Sequence, residues 1–271
     1  MTLRWRPGFA DAWSPSSIST VLWLDAADAS TITKVNGAVS QWNDKSGNGR
    51  NVSQATSANR PTYAATGLNG LPTIDWGSTA NGKNLAFSGS AFTPARIYGV
   101  AEWDGPDPFP NSSASDSHCG LVSFNLTANN DLLITELNSS LWYLNGSLPV
   151  FLNGATASSG TALPTVSSPF VFGTDYTPST SRTNVWIGND RALTNPGRGW
   201  RGKISEIIIP ASAPNTATKE QLEGYLAHKW GLTVNLPSGH PYKNDAPRTA
   251  YVPGKMVLAR PSGAGWRITP S

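Results

Sequence analysis

The sequence predicts an all-β fold, an antiparallel two-sheet sandwich with one amphipathic helix near its C-terminal end. Three observations predict it. Short apolar or alternating runs bounded by Gly, Pro, Asn and Ser recur along the chain, as expected of half-buried strands joined by turns. Gly (26) and Pro (21) are abundant and charged residues make only 14%, yet 38% hydrophobic residues remain to fill a core. That balance favours short strands and turns over helices. Finally, one stretch, 215–231, has helical rather than strand periodicity.

Strands are expected near 20–25 ("TVLWLD"), 38–42 ("AVSQW"), 72–76 ("PTIDW"), 84–87, 95–103 ("ARIYGVAEW") and 119–126 ("CGLVSFNL"). Others are expected near 131–137, 140–145, 149–152, 169–176, 183–188 and 201–209, with "SLWYLNG" and "SLPVFLNG" pairing as a hairpin. Strands in such number, with no helix between them, fit two packed sheets with Greek-key or jelly-roll connections. The eleven tryptophans suit the gap between such sheets, because one indole spans much of it.

In the helix, Leu222, Tyr225, Leu226 and Trp230 share a face, with Lys219, Glu223 and Lys229 placed elsewhere. Asn215 fits the N-cap and Gly231 the residue past the C-cap. A helix this short is unstable alone in water, so its apolar stripe must dock, here expected at a sandwich edge or end. The following "LPSGHPY" is read as a turn that fastens the chain back down.

Net charge is +3, and its placement matters more than its size. Residues 1–13 carry Arg4, Arg6 and Asp11; residues 243–271 carry Lys243, Arg248, Lys255, Arg260 and Arg267 against Asp245; the remaining 14–242 is therefore net −2. A nearly neutral body with basic ends predicts arms that meet an acidic partner. Cys119 is the single cysteine, so an intrachain disulfide framework is excluded, and it reads as a small buried hydrophobe. The opening "MTLRWRPGFADAWSPSS" has no apolar run resembling a signal peptide, which predicts a protein made in the cytoplasm.

"LWLDAADASTIT", "VSQWNDKSGNGRNVSQATSANRPTY" with "NGLPTIDW", and the closing "GKISEIIIP" to "KEQLEGYLAHKWGLTVNLPSGHPY" together resemble the concanavalin A-like, laminin-G-type jelly-roll modules. More narrowly, they resemble the version found in tail, fibre and other virion proteins of bacteriophages and in large bacterial surface proteins. The resemblance spans roughly 20–242. It implies one sandwich whose first and last strands pair, with the helix as a C-terminal brace. The organisation it implies is an N-terminal arm (1–19), a jelly-roll domain (20–242) and a basic, Pro-containing C-terminal arm (243–271).

Few motifs carry chemistry. "WNDKSGNGRNV" is a turn-former-rich loop, and related sandwiches often hold calcium at such loops. Asp44 is its one carboxylate, and a hard cation usually takes more, so a hydrogen-bonded turn is the expectation and Asp44 only a weak calcium candidate. Glu102, Asp104 and Asp107 of "EWDGPD" imitate the strand motif of glucanases on this fold. Gly105-Pro106 breaks the strand where that motif must continue, and the last position is Asp. His118, His228 and His240 have no metal-ligand spacing and are read as structural. No catalytic set can be assembled, so the expectation is a non-enzyme without a cofactor.

Carbohydrate contact is the remaining specific activity, through exposed aromatic and amide groups either at Trp103 with the 104–118 loop that holds Asn111, or at Trp200 in the "NPGRGW" loop. Arg4, Trp5, Arg6, Arg248, Lys255, Arg260, Trp266 and Arg267 are the expected assembly contacts. The expected partners are other virion proteins or copies of this chain, with host polysaccharide as a further ligand. Neither a membrane nor direct DNA contact is expected. Virion residence also explains how a chain without a signal peptide reaches the outside, since lysis releases the particle.

Overall fold

The computed structural model describes residues 11–79, 82–105, 119–124, 132–136, 141–144, 150–157, 164–174, 181–189 and 198–249. In chain order the strands are β1 (Thr20–Asp25), β2 (Ile32–Val35), β3 (Ala38–Trp42), β4 (Val52–Ser53), β5 (Thr62–Leu68), β6 (Leu71–Asp75), β7 (Leu85–Phe92) and β8 (Tyr98–Trp103). They continue as β9 (Cys119–Ser123), β10 (Leu132–Glu136), β11 (Leu141–Leu144), β12 (Val150–Leu152), β13 (Ala155–Ala157), β14 (Phe170–Thr174), β15 (Arg182–Ile187) and β16 (Gly202–Pro210), before α1 (Thr216–Lys229). The fold is all-β with a single α-helix among the described residues.

The strands pair antiparallel in the order β11-β10-β9-β15-β7-β4-β3-β5-β6-β16-β8-β14-β12-β13, with β1 on β16 and β2 on β3. One core cluster draws on both halves of that path. Trp42, Leu85, Leu121 and Val185 come from the first half, and Ile74, Trp103, Phe170 and Ile207 from the second. The path therefore curls over and closes on itself around shared apolar side chains. Cys119 lies in this core at the start of β9, with no exposed surface.

β16 organises the second half. β8 runs along one edge from Gly202 to Ile208; the other edge pairs with β6 at Lys203 and Ile204, and with β1 from Glu206 to Pro210. The first strand thus pairs with the last. Because β16 is covered on both faces, its run "IIIP" is buried throughout, as continuous apolar strands require.

The helix lies across a sheet face, not at an edge or end. Trp23, Tyr98, Val100, Val171 and Ile208 form an apolar patch, and Leu222, Leu226, Ala227 and Trp230 cover it. Left open, that patch would expose several large side chains to water. Asn215 Oδ1 accepts from Thr218 N at 2.9 Å, and Gly231 has φ 70°, so both helix ends are capped as their residues predict. Off that stripe, Glu223 is buried against His240 and Lys219, and Lys229 reaches Asp25 and Glu206 on the sheet.

Three two-residue hairpins carry Asn-Gly with both φ values positive: Asn36-Gly37, Asn69-Gly70 and Asn153-Gly154. They join β2 to β3, β5 to β6 and β12 to β13, the type I′ geometry that Asn-Gly favours. The expected β11–β12 hairpin does not form: β11 pairs with β10, and β12 with β13 and β14. The second "LNG" turns β12 straight back instead. At the β5–β6 tip, Asn69 Nδ2 donates to the Lys229 carbonyl at 3.2 Å, tying that hairpin to the helix C-terminus.

The "LPSGHPY" turn does fasten the chain. His228 Nε2 donates to the Tyr242 carbonyl at 2.9 Å, and Lys243 Nζ donates to the carbonyls of Thr233, Val234 and Leu236. Beyond it the two ends meet. Trp13 N donates to the Pro247 carbonyl at 3.0 Å, Thr249 N to the Asp11 carbonyl at 2.8 Å, and Ala12 bridges Arg248. Trp13 is buried and packs edge-on against Tyr225 at 6.0 Å. The packed body therefore runs past 20–242 at both ends.

Leu226→Ala, in the helix stripe, is expected to lower unfolding free energy by about 2–5 kcal/mol in urea titrations. Val234→Ser, at an exposed position, should change it by no more than about 0.5 kcal/mol.

Candidate functional site

A polar row crosses the helix-bearing face of the sheet beyond the helix. Thr62 of β5 stands opposite Asp75 of β6, Asp75 opposite Lys203 of β16, and Lys203 opposite Glu102 of β8. On β8, Ala101 and Trp103 point into the main core while Tyr98 and Val100 point toward the helix. Alternation puts Glu102 on the helix side.

A bulge decides which β16 residues join it. Register against β8 shifts between Ile204 and Glu206, leaving Ser205 as the extra residue. Lys203 and Glu206, three positions apart, then face the same way; a regular strand would put them on opposite faces. The freed Ser205 carbonyl accepts from Ala26 N at 3.0 Å.

Lys203 Nζ pairs with Glu102 Oε1 and lies 3.1 Å from Asp104 Oδ2. Asp104 Oδ1 accepts from Ser167 Oγ at 2.7 Å. Burial pushes the Glu102 carboxyl up; the Lys203 ammonium opposes that, and the neighbouring Asp104 charge adds to it. Burial pulls Lys203 down, but the hydrogen bonds and charges of Glu102 and Asp104 outweigh it and leave its pKa raised. Gly202, at φ 130°, is required here because a Cβ would strike the Glu102 carbonyl.

The two tryptophans expected to offer a sugar platform support this row from below. Trp103 and Trp200 are 1% and 0% exposed, and their rings meet edge-to-face at 5.1 Å. Trp200 Nε1 donates to the Glu102 carbonyl at 3.2 Å. Neither ring presents a face to solvent, which corrects the stacking role expected of them: strand alternation that brings Glu102 outward sends Trp103 inward. Glu102 and Asp104 do converge as the glucanase-like spacing suggested, but one ammonium joins both. A retaining glycosidase needs one carboxyl free to attack and the other to act as acid. Asp107, Asn111, His118, Arg4, Trp5, Arg6, Lys255, Arg260, Trp266 and Arg267 lie outside the described residues.

Asp44 is a turn residue. Its Oδ1 accepts from Trp23 N and Ser46 N, and its Oδ2 from Ser46 Oγ and Arg50 N, at 2.7–3.1 Å. The loop "NDKSGNGR" is thus closed on β1 by one carboxylate. Among the described residues no three His, Cys, Asp or Glu side chains group as a metal-holding set.

A second charge cluster lies under the helix, and sequence reasoning missed it. Glu206 is fully buried. Its Oε1 accepts from Trp23 Nε1 (2.8 Å) and Tyr225 Oη (3.0 Å), and its Oε2 from Trp230 Nε1 (2.7 Å) and Lys229 Nζ (2.8 Å). Lys229 Nζ also lies 2.6 Å from Asp25 Oδ1, and Lys45 Nζ lies 2.9 Å from Asp25 Oδ2 and from Asp28 Oδ2. Burial raises the Glu206 carboxyl, opposed by Lys229. Burial, then Glu206 and Asp25, drive the Tyr225 phenol far up. The signal was present in "ISEIII", where a lone acid interrupts an apolar strand.

No family model and no curated protein matches this sequence. Among solved structures it is similar to Trypanosoma rangeli sialidase bound to a difluoro-KDN, at TM-score 0.42 and 11% identity over 78% of this chain and 33% of that one. It is also similar to an arabinofuranosidase complexed with arabinofuranosyl-xylobiose, at TM-score 0.41 and 12% identity over 80% of this chain and 59% of that one. The chain thus spans about a third of the sialidase and three-fifths of the arabinofuranosidase, and likeness at this level carries no functional argument.

Lys203→Met tests the polar row. A raised Glu102 carboxyl contributes stability that is full below its unfolded value of 4.5 and is lost as pH rises through the folded value. Removing the opposing ammonium raises that folded value further. Urea titrations should therefore show a larger loss from Lys203→Met at about pH 7 than at about pH 4.

Proposed function

We propose that the chain is a structural protein of a bacteriophage virion. In this reading it is an exposed decoration or fibre-type subunit with the concanavalin A-like jelly-roll build that the sequence resembles, moored by its ends to neighbouring virion proteins. The observation that carries this is the pairing of residues 11–13 with 247–249. Through it, Asp11 and Thr249, the residues at which segments 1–10 and 250–271 join the body, lie side by side.

Those two segments hold Arg4, Arg6, Lys255, Arg260 and Arg267 and no acid, which leaves 11–249 with 15 cations against 17 acids, net −2. In this reading the five cations, joined to an acidic body at adjacent residues, act as a single bidentate mooring. An acidic surface suits it, including that of a second copy of this chain. Arg248, at the root, is held in the ladder itself. No catalysis, cofactor or metal enters this reading.

The polar row favours a second, subordinate reading, contact with host polysaccharide. Carboxylate and ammonium groups in one row can accept from and donate to sugar hydroxyls, without the aromatic platform first expected.

Incorporation is the test. Particles purified on a density gradient should carry the chain, as read by peptide mass spectrometry. A variant with the five terminal cations changed to Ser should melt like the parent yet leave the particle band. Recovery of the parent chain only among free soluble proteins overturns the proposal. Glycan-array binding that Lys203→Met removes would establish the second reading.

A further inference from the structure

We propose that Asp25 and Lys229 form an intramolecular isopeptide bond, with Glu206 as its proton carrier, covalently joining the first strand to the C-terminal helix. This modification stands apart from the particle assignment.

The reacting groups are in contact. Lys229 Nζ, the nucleophile, lies 2.6 Å from Asp25 Oδ1 and 2.8 Å from Glu206 Oε2. Asp25, the electrophile, is held on its other oxygen by Lys45 Nζ at 2.9 Å, and Ala27 N donates to Oδ1 at 3.1 Å. Burial pulls Lys45 down, but pairing with Asp25 and Asp28 outweighs it and keeps its pKa raised. A cation therefore stays on Asp25 Oδ2, where charge develops as the carbonyl carbon becomes tetrahedral. The two carboxyls are shielded: the Asp25 side chain is 6% exposed and Glu206 0%, walled by Trp23, Tyr225 and Trp230, while the Lys229 side chain keeps 18% exposure. An amide bond made here is protected from hydrolysis by the same burial.

The step balances without any oxidant or co-reactant. Within the ion pair one proton passes from the Lys229 ammonium to the Asp25 carboxylate, giving amine and acid. The Nζ lone pair attacks Cγ, forming the C–N bond. Glu206 Oε2 takes the second proton from Nζ and returns it to the departing Oδ1. The C–O bond breaks and one water leaves, with Glu206 restored. Glu206 can carry that proton because it and Asp25 touch the same nitrogen.

The competing nucleophile, Lys45, lacks this arrangement. It also touches two carboxylates, Asp25 and Asp28, but its second carboxylate, Asp28, is 35% exposed where Glu206 is fully buried, so no water-shielded proton carrier stands beside it.

The test is the intact mass of the full-length chain, purified under denaturing conditions. The expected mass is one water below that of the sequence, and proteolysis should yield one branched peptide joining the segments that contain Asp25 and Lys229. Glu206→Gln and Lys229→Arg should restore the full sequence mass, while Lys45→Arg should retain the loss. A parent chain at full sequence mass, with the Asp25 and Lys229 peptides recovered separately, overturns the proposal whatever the variants do. So does a branched peptide through Lys45.

Discussion

Four donors on one buried carboxylate hold the helix against the outer face of β16. Glu206 is surrounded by an indole from β1, a phenol, an ammonium and a second indole from α1. A carboxylate taken from water without such partners is expensive. Removing one partner of a buried charge pair typically costs about 3–5 kcal/mol. With both oxygens saturated, the same group becomes a positional lock, because only one placement of helix on sheet delivers all four donors. Asp25 extends the lock sideways by engaging Lys229 and Lys45 together.

The rest of the architecture follows from where β16 puts its side chains. Its inner residues Ile204, Ile207 and Ile209 enter the main core, while Ile208 and Glu206 meet the helix. The bulge at Ser205 lets Lys203 and Glu206 share the outer face, so one strand supplies an acid to the helix and a cation to the Glu102–Asp104 pair. Hairpin tips then close the periphery. Asn69 touches the helix C-terminus, and a Cβ on Gly154 would contact His240, Leu236 and Pro237, which shows how closely the β12–β13 tip approaches the turn after the helix.

This arrangement makes the ends of the body part of its closure. Trp13 packs on Tyr225, whose hydroxyl is bound to Glu206, and Pro247 accepts from Trp13. The pairing of residues 11–13 with 247–249 is thus linked by direct contacts to the buried charge cluster.

The sequence by itself determined the strand rhythm, the helix with its Asn215 and Gly231 caps, the burial of Cys119 and the Asp44 turn, since each rests on local periodicity or on side chains bonding nearby backbone. Asn-Gly at 36–37, 69–70 and 153–154 also specified its hairpins, and the expected pairing of "SLPVFLNG" with "SLWYLNG" overlooked the turn in its own Asn153-Gly154. Short or polar strands such as β4 and β5 carry too little apolar alternation to be legible. Only the tertiary structure decided that Trp103 and Trp200 are core, that Glu102 and Asp104 share Lys203, and that Lys229 meets Asp25 from 204 positions away. Those facts depend on strand register, on a one-residue bulge and on helix placement. Such long-range pairings leave no periodic trace in the chain, because the partners are chosen by packing and not by neighbours in sequence.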